Sequence, residues 1–267
     1  MRVGYVQLQP EFGEVERNLE RALELMAGEK ADLWVLPELF STGYMFTSRE
    51  EVRRLAEPVP DGPTTRALLD WAEARGCYLA YGLAELAGDA VYNSAALVGP
   101  QGFLLLYRKT HLFYREKEFF SPGDTGFPVT EVDGVVVGLM VCFDHLFPEA
   151  ARTLALKGAQ LIAHPANLVL PGLAQLTMRA RALENRVFTV TANRVGVERR
   201  GGEVLRFTGQ SQIVSPRGEV LASSPQEGEE AVVVEIDPTI SLDKRVTPLN
   251  DLLADRRPEL YELDGHK

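Results

Sequence analysis

Cysteine is scarce in this chain. Cys77 and Cys142 are the only two among 267 residues. Two thiols cannot build a disulfide framework, so a reducing compartment, the cytoplasm, is expected. Histidine is almost as rare. His111, His145, His164 and His266 show neither His-x₃-His nor His-Glu-x-x-His spacing, which argues against a metal centre. Apolar runs of ~18 residues are missing, so no membrane span is expected. The opening Met1-Arg2-Val3-Gly4-Tyr5-Val6-Gln7-Leu8 lacks the long apolar segment of a signal peptide and reads as a strand. Basic charge is in deficit, with 28 Lys and Arg against 38 Asp and Glu and a formal net charge of -10. That balance argues against nucleic acid and anionic membranes as main partners. Low-complexity linkers and shifts of composition are also missing, so residues 1–267 read as one domain.

What is present is ordinary for a globular α/β unit, with 45% hydrophobic and 25% charged residues. Residues 2–8 suit a buried strand. From Glu14 to Lys30, Val15, Leu19, Ala22, Leu23 and Met26 recur on one helical face. Residues 31–36 form the next strand, ending in Pro37-Glu38-Leu39-Phe40. A strand–helix–strand unit implies a parallel pair, which puts Glu38 just past a strand's carboxyl end, where α/β folds build sites. Pro63 to Arg75 is a helix with proline at its start and Gly76 past its end. Tyr78 to Leu83 and Tyr92 to Val98 are strands. After the turn Gly99-Pro100-Gln101-Gly102, Phe103 to Tyr107 returns as a hairpin ending in Arg108-Lys109-Thr110-His111.

The run from Val135 to Val141 is apolar and rich in β-branched residues, the mark of a strand buried on both faces. It turns at Cys142-Phe143-Asp144-His145 into a helix started by Pro148 and Glu149. A thiol at such a corner sits beside free backbone N–H groups, so one turn of chain can supply both a nucleophile and an oxyanion site. The strand Gln160 to His164, a helix from Leu173 to Arg186, and the strand Val187 to Ala192 follow. A second hairpin, Gln210 to Val214 and Glu219 to Ala222, turns on Ser215-Pro216-Arg217-Gly218. Ala231 to Ile236 is the last strand. Both halves thus carry strands separated by helices and then a hairpin, which implies two similar sheets packed together with helices outside. Residues 238–267 are polar and read as a tail lying over another surface, such as a partner subunit.

Three stretches stand out together: Leu36-Pro37-Glu38, Tyr107-Arg108-Lys109-Thr110-His111-Leu112 and Gly138-Leu139-Met140-Val141-Cys142-Phe143-Asp144. In this order and spacing they resemble the signature segments of the nitrilase superfamily, the carbon–nitrogen hydrolases, over nearly the whole chain. The resemblance implies a four-layer α-β-β-α sandwich of two mixed sheets and a catalytic Glu38, Lys109 and Cys142. It also implies a second glutamate in the loop after the lysine, best matched by Glu116, with Glu118 as the rival. A free thiol has a pKa of roughly 8.5 and needs help to ionise. Glu38 would take its proton, and Lys109 would stabilise the oxyanion beside the Phe143 N–H. No metal or organic cofactor is required. By position, Phe143, Tyr44, Tyr114, His145 and Asn167 are candidates for the substrate pocket, while Arg108, Asp144 and Glu149 would support the site. The expected substrate is a small amide, with a nitrile or an N-carbamoyl compound as variants. A homodimer or larger homo-oligomer is implied. Two other readings are a Cys-His hydrolase using His145 or His111, and a non-catalytic binding protein of the same fold.

Overall fold

The computed structural model describes residues 1–261. The first half supplies β1 (Arg2–Gln7), α1 (Val15–Ala27), β2 (Leu33–Val35), α2 (Arg49–Leu55) and α3 (Pro63–Arg75). The long strands β3 (Tyr78–Ala87), β4 (Ala90–Gly99) and β5 (Gly102–Arg108) and the single turn α4 (Glu116–Phe119) follow. The second half begins with β6 (Val129–Val132), β7 (Val135–Leu139), α5 (Pro148–Leu156), β8 (Leu161–Pro165), α6 (Leu173–Asn185) and β9 (Phe188–Ala192). It continues with the hairpin β10 (Val197–Arg200) and β11 (Glu203–Arg206), then β12 (Gln212–Val214), β13 (Val220–Ser223) and β14 (Glu230–Glu235). A small hairpin of β15 (Arg245–Thr247) and β16 (Asn250–Asp251) lies in the tail.

These strands form two six-stranded mixed sheets, ordered β14-β1-β2-β3-β4-β5 and β13-β12-β9-β8-β7-β6. In each sheet three adjacent strands run parallel, β1-β2-β3 and β7-β8-β9. Antiparallel strands complete both edges, and β14 crosses back from the second half to pair with β1. Three separate apolar layers define the stacking. Tyr5, Val35, Ala80 and Leu97 of the first sheet meet Val137, Leu139, Ala163 and Val190 of the second. Trp34, Leu79 and Tyr81 pack outward on Ala22 and Met26 of α1 and Leu68 and Ala72 of α3. Met140 and Ile162 pack outward on Ala151 and Leu154 of α5 and Met178 of α6. The result is an α-β-β-α sandwich of two mixed sheets. Central strands buried on both faces explain why β1, β7 and β8 read as continuous apolar runs instead of alternating ones.

The structure adds elements that the sequence reading passed over. The α2 helix, capped by the Ser48 hydroxyl accepting from the Glu51 N–H, lies between Phe40 and Pro63, where the sequence analysis names no element. The β6 strand pairs with β7 through a turn at Asp133-Gly134, both at positive φ, and Asp-Gly is a strong hairpin signal. The β10–β11 hairpin turns on Gly201-Gly202. The described part of the tail makes contacts with its own chain: Ser241 Oγ donates to Gln160 O at 2.9 Å, and Lys244 Nζ donates to Arg186 O at 2.9 Å. Residues 262–267 lie outside the described residues. Among the described residues no helix is long and apolar enough to cross a membrane.

The corner after β7 depends on close packing. A Cβ on Gly138 would stand 2.8 Å from Leu154 Cδ2 of α5. Gly138→Ala is therefore expected to cost about 1–3 kcal/mol by overpacking. Leu154→Ala alone should cost about 2–5 kcal/mol by leaving a cavity. The double variant should recover at least about 0.5 kcal/mol of the sum in guanidinium unfolding. Strict additivity would show that the two groups do not compete for one space.

Candidate active site

Glu38, Lys109 and Cys142 come from the carboxyl ends of β2, β5 and β7, and the packing of the sheets brings them together. Lys109 Nζ donates to Glu38 Oε1 at 2.6 Å and lies 2.8 Å from Glu116 Oε2. The ammonium and both carboxylates are buried. Cys142 is buried too, within electrostatic range of all three groups, and its Sγ donates to Asn167 O at 3.8 Å. Burial alone would lower the lysine pKa. The carboxylates of Glu116 and Glu38 outweigh it and hold the ammonium well above its usual range. Burial raises the Glu116 carboxyl, opposed by Lys109. Burial and then the Glu38 charge push the Cys142 thiol well up, again opposed by Lys109, so the sulfur rests as S–H.

Several residues fix these groups. Asn93 of β4 acts on two of them: its side-chain amide donates to Glu38 Oε1 at 2.7 Å, and its carbonyl accepts the Lys109 N–H at 2.8 Å. Glu38 Oε2 is left without a partner among the described residues. The Glu38 loop lies flat on β3 at Gly82, where an added Cβ would fall 2.5 Å from Glu38 Cα. Gly123 N–H donates to Lys109 O at 3.0 Å, and a Cβ there would meet Arg108 O. Tyr44 donates its hydroxyl to Glu116 Oε1 at 2.6 Å, and the Tyr44 and Met45 N–H groups rest on Glu198, which pairs with buried Arg194. Asp144 secures the cysteine corner, accepting from Val141 N–H at 2.8 Å, Tyr107 hydroxyl at 2.7 Å and His111 Nδ1 at 2.7 Å. Leu39 and Cys142 are held at φ of 48° and 44°, the left-handed region that non-glycine residues avoid.

Of the two glutamates in the loop after Lys109, Glu116 faces inward to the lysine. Glu118 is exposed and pairs with Arg115 at 3.0 Å. Cys142, Phe143, His145 and Asn167 line one cleft with Phe113 and Leu168. Tyr44 and Tyr114 line an adjoining hollow instead, and Tyr114 is 60% exposed, so the structure does not bring it to the thiol. Arg108 pairs with Glu85 at 2.6 Å and lies over Tyr92, and Glu149 is exposed in the first turn of α5. The His145 ring is bonded to Thr177 and the His111 ring to Asp144, and neither bonds to Sγ among the described residues. A much larger groove than the Cys142 cleft, about 690 Å³, runs along β10 and β11 and shares only Val169 with that cleft, so size does not mark the site. The sequence reading missed Asn93, Gly82, Gly123 and His164. A polar Asn93 inside the apolar run of β4 was the one visible signal.

A buried thiol within electrostatic range of a buried lysine and two carboxylates is the arrangement of a thiol hydrolase. The comparisons agree. The carbon-nitrogen hydrolase family matches residues 2–245. A protein named nitrilase from Pyrococcus abyssi is 52% identical over 98% of this chain and 99% of its own. An (R)-stereoselective amidase of a Pseudomonas species is 38% identical over 96% of this chain and 92% of its own. The crystal structure of an amidase from a Nesterenkonia species superposes with a TM-score of 0.80 at 29% identity, covering 97% of this chain and 94% of that one. Another structure of that amidase carries acrylamide added at its active-site cysteine. The chain belongs to the carbon–nitrogen hydrolase family and is a thiol-dependent hydrolase of carbon–nitrogen bonds.

Two neutral histidines underlie the site. Burial, then the neighbouring His164, lowers His145 to about 3, and burial lowers His164 to about 4. A histidine whose folded pKa is depressed stabilises the fold above its unfolded value of about 6.5. That contribution is lost as pH falls toward the folded value. Each ring should therefore steepen the loss of stability by up to about 1.4 kcal/mol per pH unit between about pH 6.5 and 4. Guanidinium midpoints across that window check this, with His145→Gln removing one share. A flat profile would contradict buried neutral rings.

Proposed function

We propose that Cys142 opens small uncharged amides through a thioester, with Glu38 as proton carrier, Lys109 and the Phe143 N–H as oxyanion donors, and Glu116 as the anchor of Lys109. The observation that carries this is the buried ammonium bracketed by two carboxylates beside the thiol. When Glu38 takes the thiol proton, the four-group cluster keeps its net charge, so the step needs no solvent ion. Sγ then bonds to the carbonyl carbon, and the C=O π pair moves to oxygen, whose charge meets Lys109 and the N–H. The oxyanion collapses, the C–N bond breaks, and Glu38 returns its proton to the nitrogen, which leaves as ammonia. Water attacks the thioester with Glu38 as base, the C–S bond breaks, Glu38 returns the proton to Sγ, and the acid departs as its carboxylate, its proton passing to the released ammonia.

The cleft walls favour a short apolar acyl group, since Phe113, Phe143, Leu168, Val169 and Leu170 form most of them. A nitrile would use the same three residues through a thioimidate, and an N-carbamoyl group would also fit the chemistry. Exposed Leu176 and Leu183 on α6 and Leu249 in the tail support burial against a second copy of the chain. The two free thiols support a reducing compartment such as the cytoplasm.

Ammonia release across small amides, nitriles and carbamoyl compounds tests this reading. The expected result is one ammonia per acid formed, with Cys142→Ala losing at least about a thousandfold in kcat. No ammonia from any member of the panel would sink it. Glu116→Gln should lower kcat by about 10²–10³ because the lysine donor loses its seat, while Glu118→Gln leaves kcat unchanged. The reverse order would reassign the second glutamate. Methyl methanethiolsulfonate should label Cys142 well before Cys77, whose thiol burial pushes up to about 11. Equal labelling would favour a binding protein over an enzyme.

A further inference from the structure

We infer that His164 is a positioning residue that aims the Phe143 N–H at the developing oxyanion, an inference resting on the amide-hydrolysis reading above. His164 lies on β8, fully buried, beneath the Cys142 corner. Its Nε2 stands 2.9 Å from Cys142 O. A carbonyl oxygen only accepts, so Nε2 carries the ring proton. Nδ1 is then a bare acceptor, and the Thr191 hydroxyl of β9, 3.0 Å away, donates to it. One neighbour on each side fixes the tautomer.

The consequence follows from peptide geometry. The Cys142 carbonyl and the Phe143 N–H belong to one planar trans peptide unit, the one cis peptide among the described residues being Val59-Pro60. In a trans peptide the C=O and N–H point in opposite directions. A hydrogen bond that holds the carbonyl down toward β8 therefore turns the N–H the other way. That N–H donates to no acceptor among the described residues. Its neighbours Asp144 and Phe147 do spend their N–H groups, on Val141 O and Asp144 O. Cys142 sits at φ 44°, a backbone state that relaxes unless something holds it. Asp144 grips the residue before the cysteine through the Val141 N–H, and His164 grips the peptide after it. The bond to the carbonyl also polarises the peptide, which strengthens its N–H as a donor.

The imidazole touches neither substrate nor sulfur. Its effect appears only when charge develops on the substrate oxygen, as Sγ bonds to carbon and the π pair moves to oxygen. Reactions of the same sulfur that build no oxyanion should not need it. Methyl methanethiolsulfonate reacts in that way, since Sγ displaces sulfinate from sulfur and forms a disulfide. Butyraldehyde is the opposite probe: Sγ adds to its carbonyl carbon, and the oxygen that gains the electron pair occupies the oxyanion position.

The experiment compares wild type, His164→Leu and His164→Gln, where glutamine can place an N–H near the position of Nε2. For His164→Leu, kcat on butyramide should fall by about 10–100-fold while KM moves less than about threefold. The butyraldehyde inhibition constant should rise by the same factor as kcat falls, and the rate with methyl methanethiolsulfonate should stay near wild type. His164→Gln should recover most of kcat and of aldehyde affinity, and it serves as the test if the leucine variant does not fold. If disulfide formation falls in step with kcat, His164 merely supports the fold around the thiol and the inference is overturned. Unchanged kcat and aldehyde binding would overturn it equally. A wild type that binds butyraldehyde yet releases no ammonia from any amide would sink the amidase reading alone, and the aldehyde and disulfide rates would still decide the role of His164.

Discussion

A lysine ammonium buried between two carboxylates is the constraint on which the rest of this structure depends. Lys109 has no solvent to share its charge, and the contacts at 2.6 and 2.8 Å with Glu38 and Glu116 replace it. Burying a lone charge would cost several kcal/mol, and a buried pair breaks even only with close geometry and further hydrogen bonds. Those bonds are present. Tyr44 and the Phe113 N–H serve Glu116, and the Asn93 side chain serves Glu38. One carboxylate oxygen, Glu38 Oε2, is left over among the described residues, and in the proposed mechanism it is the one free to accept the thiol proton. The same electrostatics keep the sulfur protonated at rest, because a thiolate would add a third negative charge to a cluster with one positive one.

The sandwich delivers these groups without using flexible segments. Each leaves the carboxyl end of a strand whose residues are divided between the inter-sheet core and the layer packed on the helices. Glycines let the arriving loops press against neighbouring backbone, at Gly82 under Glu38 and at Gly123 against Arg108 and Lys109. Rigid delivery matters because oxyanion stabilisation depends on donors being in place before charge develops. It also explains why the cysteine corner is gripped from two sides, by Asp144 before it and His164 after it. The strain of φ 44° at Cys142 is sustained by those bonds.

Much of this was legible in the residues, for physical reasons. Strand ends announce themselves when an apolar run stops at a charged or polar residue, as at Glu38, Lys109 and Cys142. Helix α3 was readable to its ends because Pro63 and Gly76 have the backbone preferences of those positions. What stayed hidden was whatever depends on partners far away in the chain. Nothing local to Asn93 or His164 says that one bridges a glutamate and a lysine, or that the other reaches a carbonyl 22 residues earlier. Short strands such as β6, β10 and β11 escaped because they carry few apolar residues, although the Asp133-Gly134 and Gly201-Gly202 turns were open to view. Tyr114 looked like a pocket residue from its place in the loop, and only the fold turns it outward.

The charge on Lys109 can be read directly by following its side-chain nitrogen in ¹⁵N-lysine-labelled protein by NMR through a pH titration, with Lys109→Arg for assignment. An ammonium held by two carboxylates is expected to remain charged past the ordinary lysine value of 10.5. A Lys109 resonance that loses its proton at or below neutral pH would contradict the arrangement, since a neutral amine could neither anchor the two glutamates nor stabilise an oxyanion.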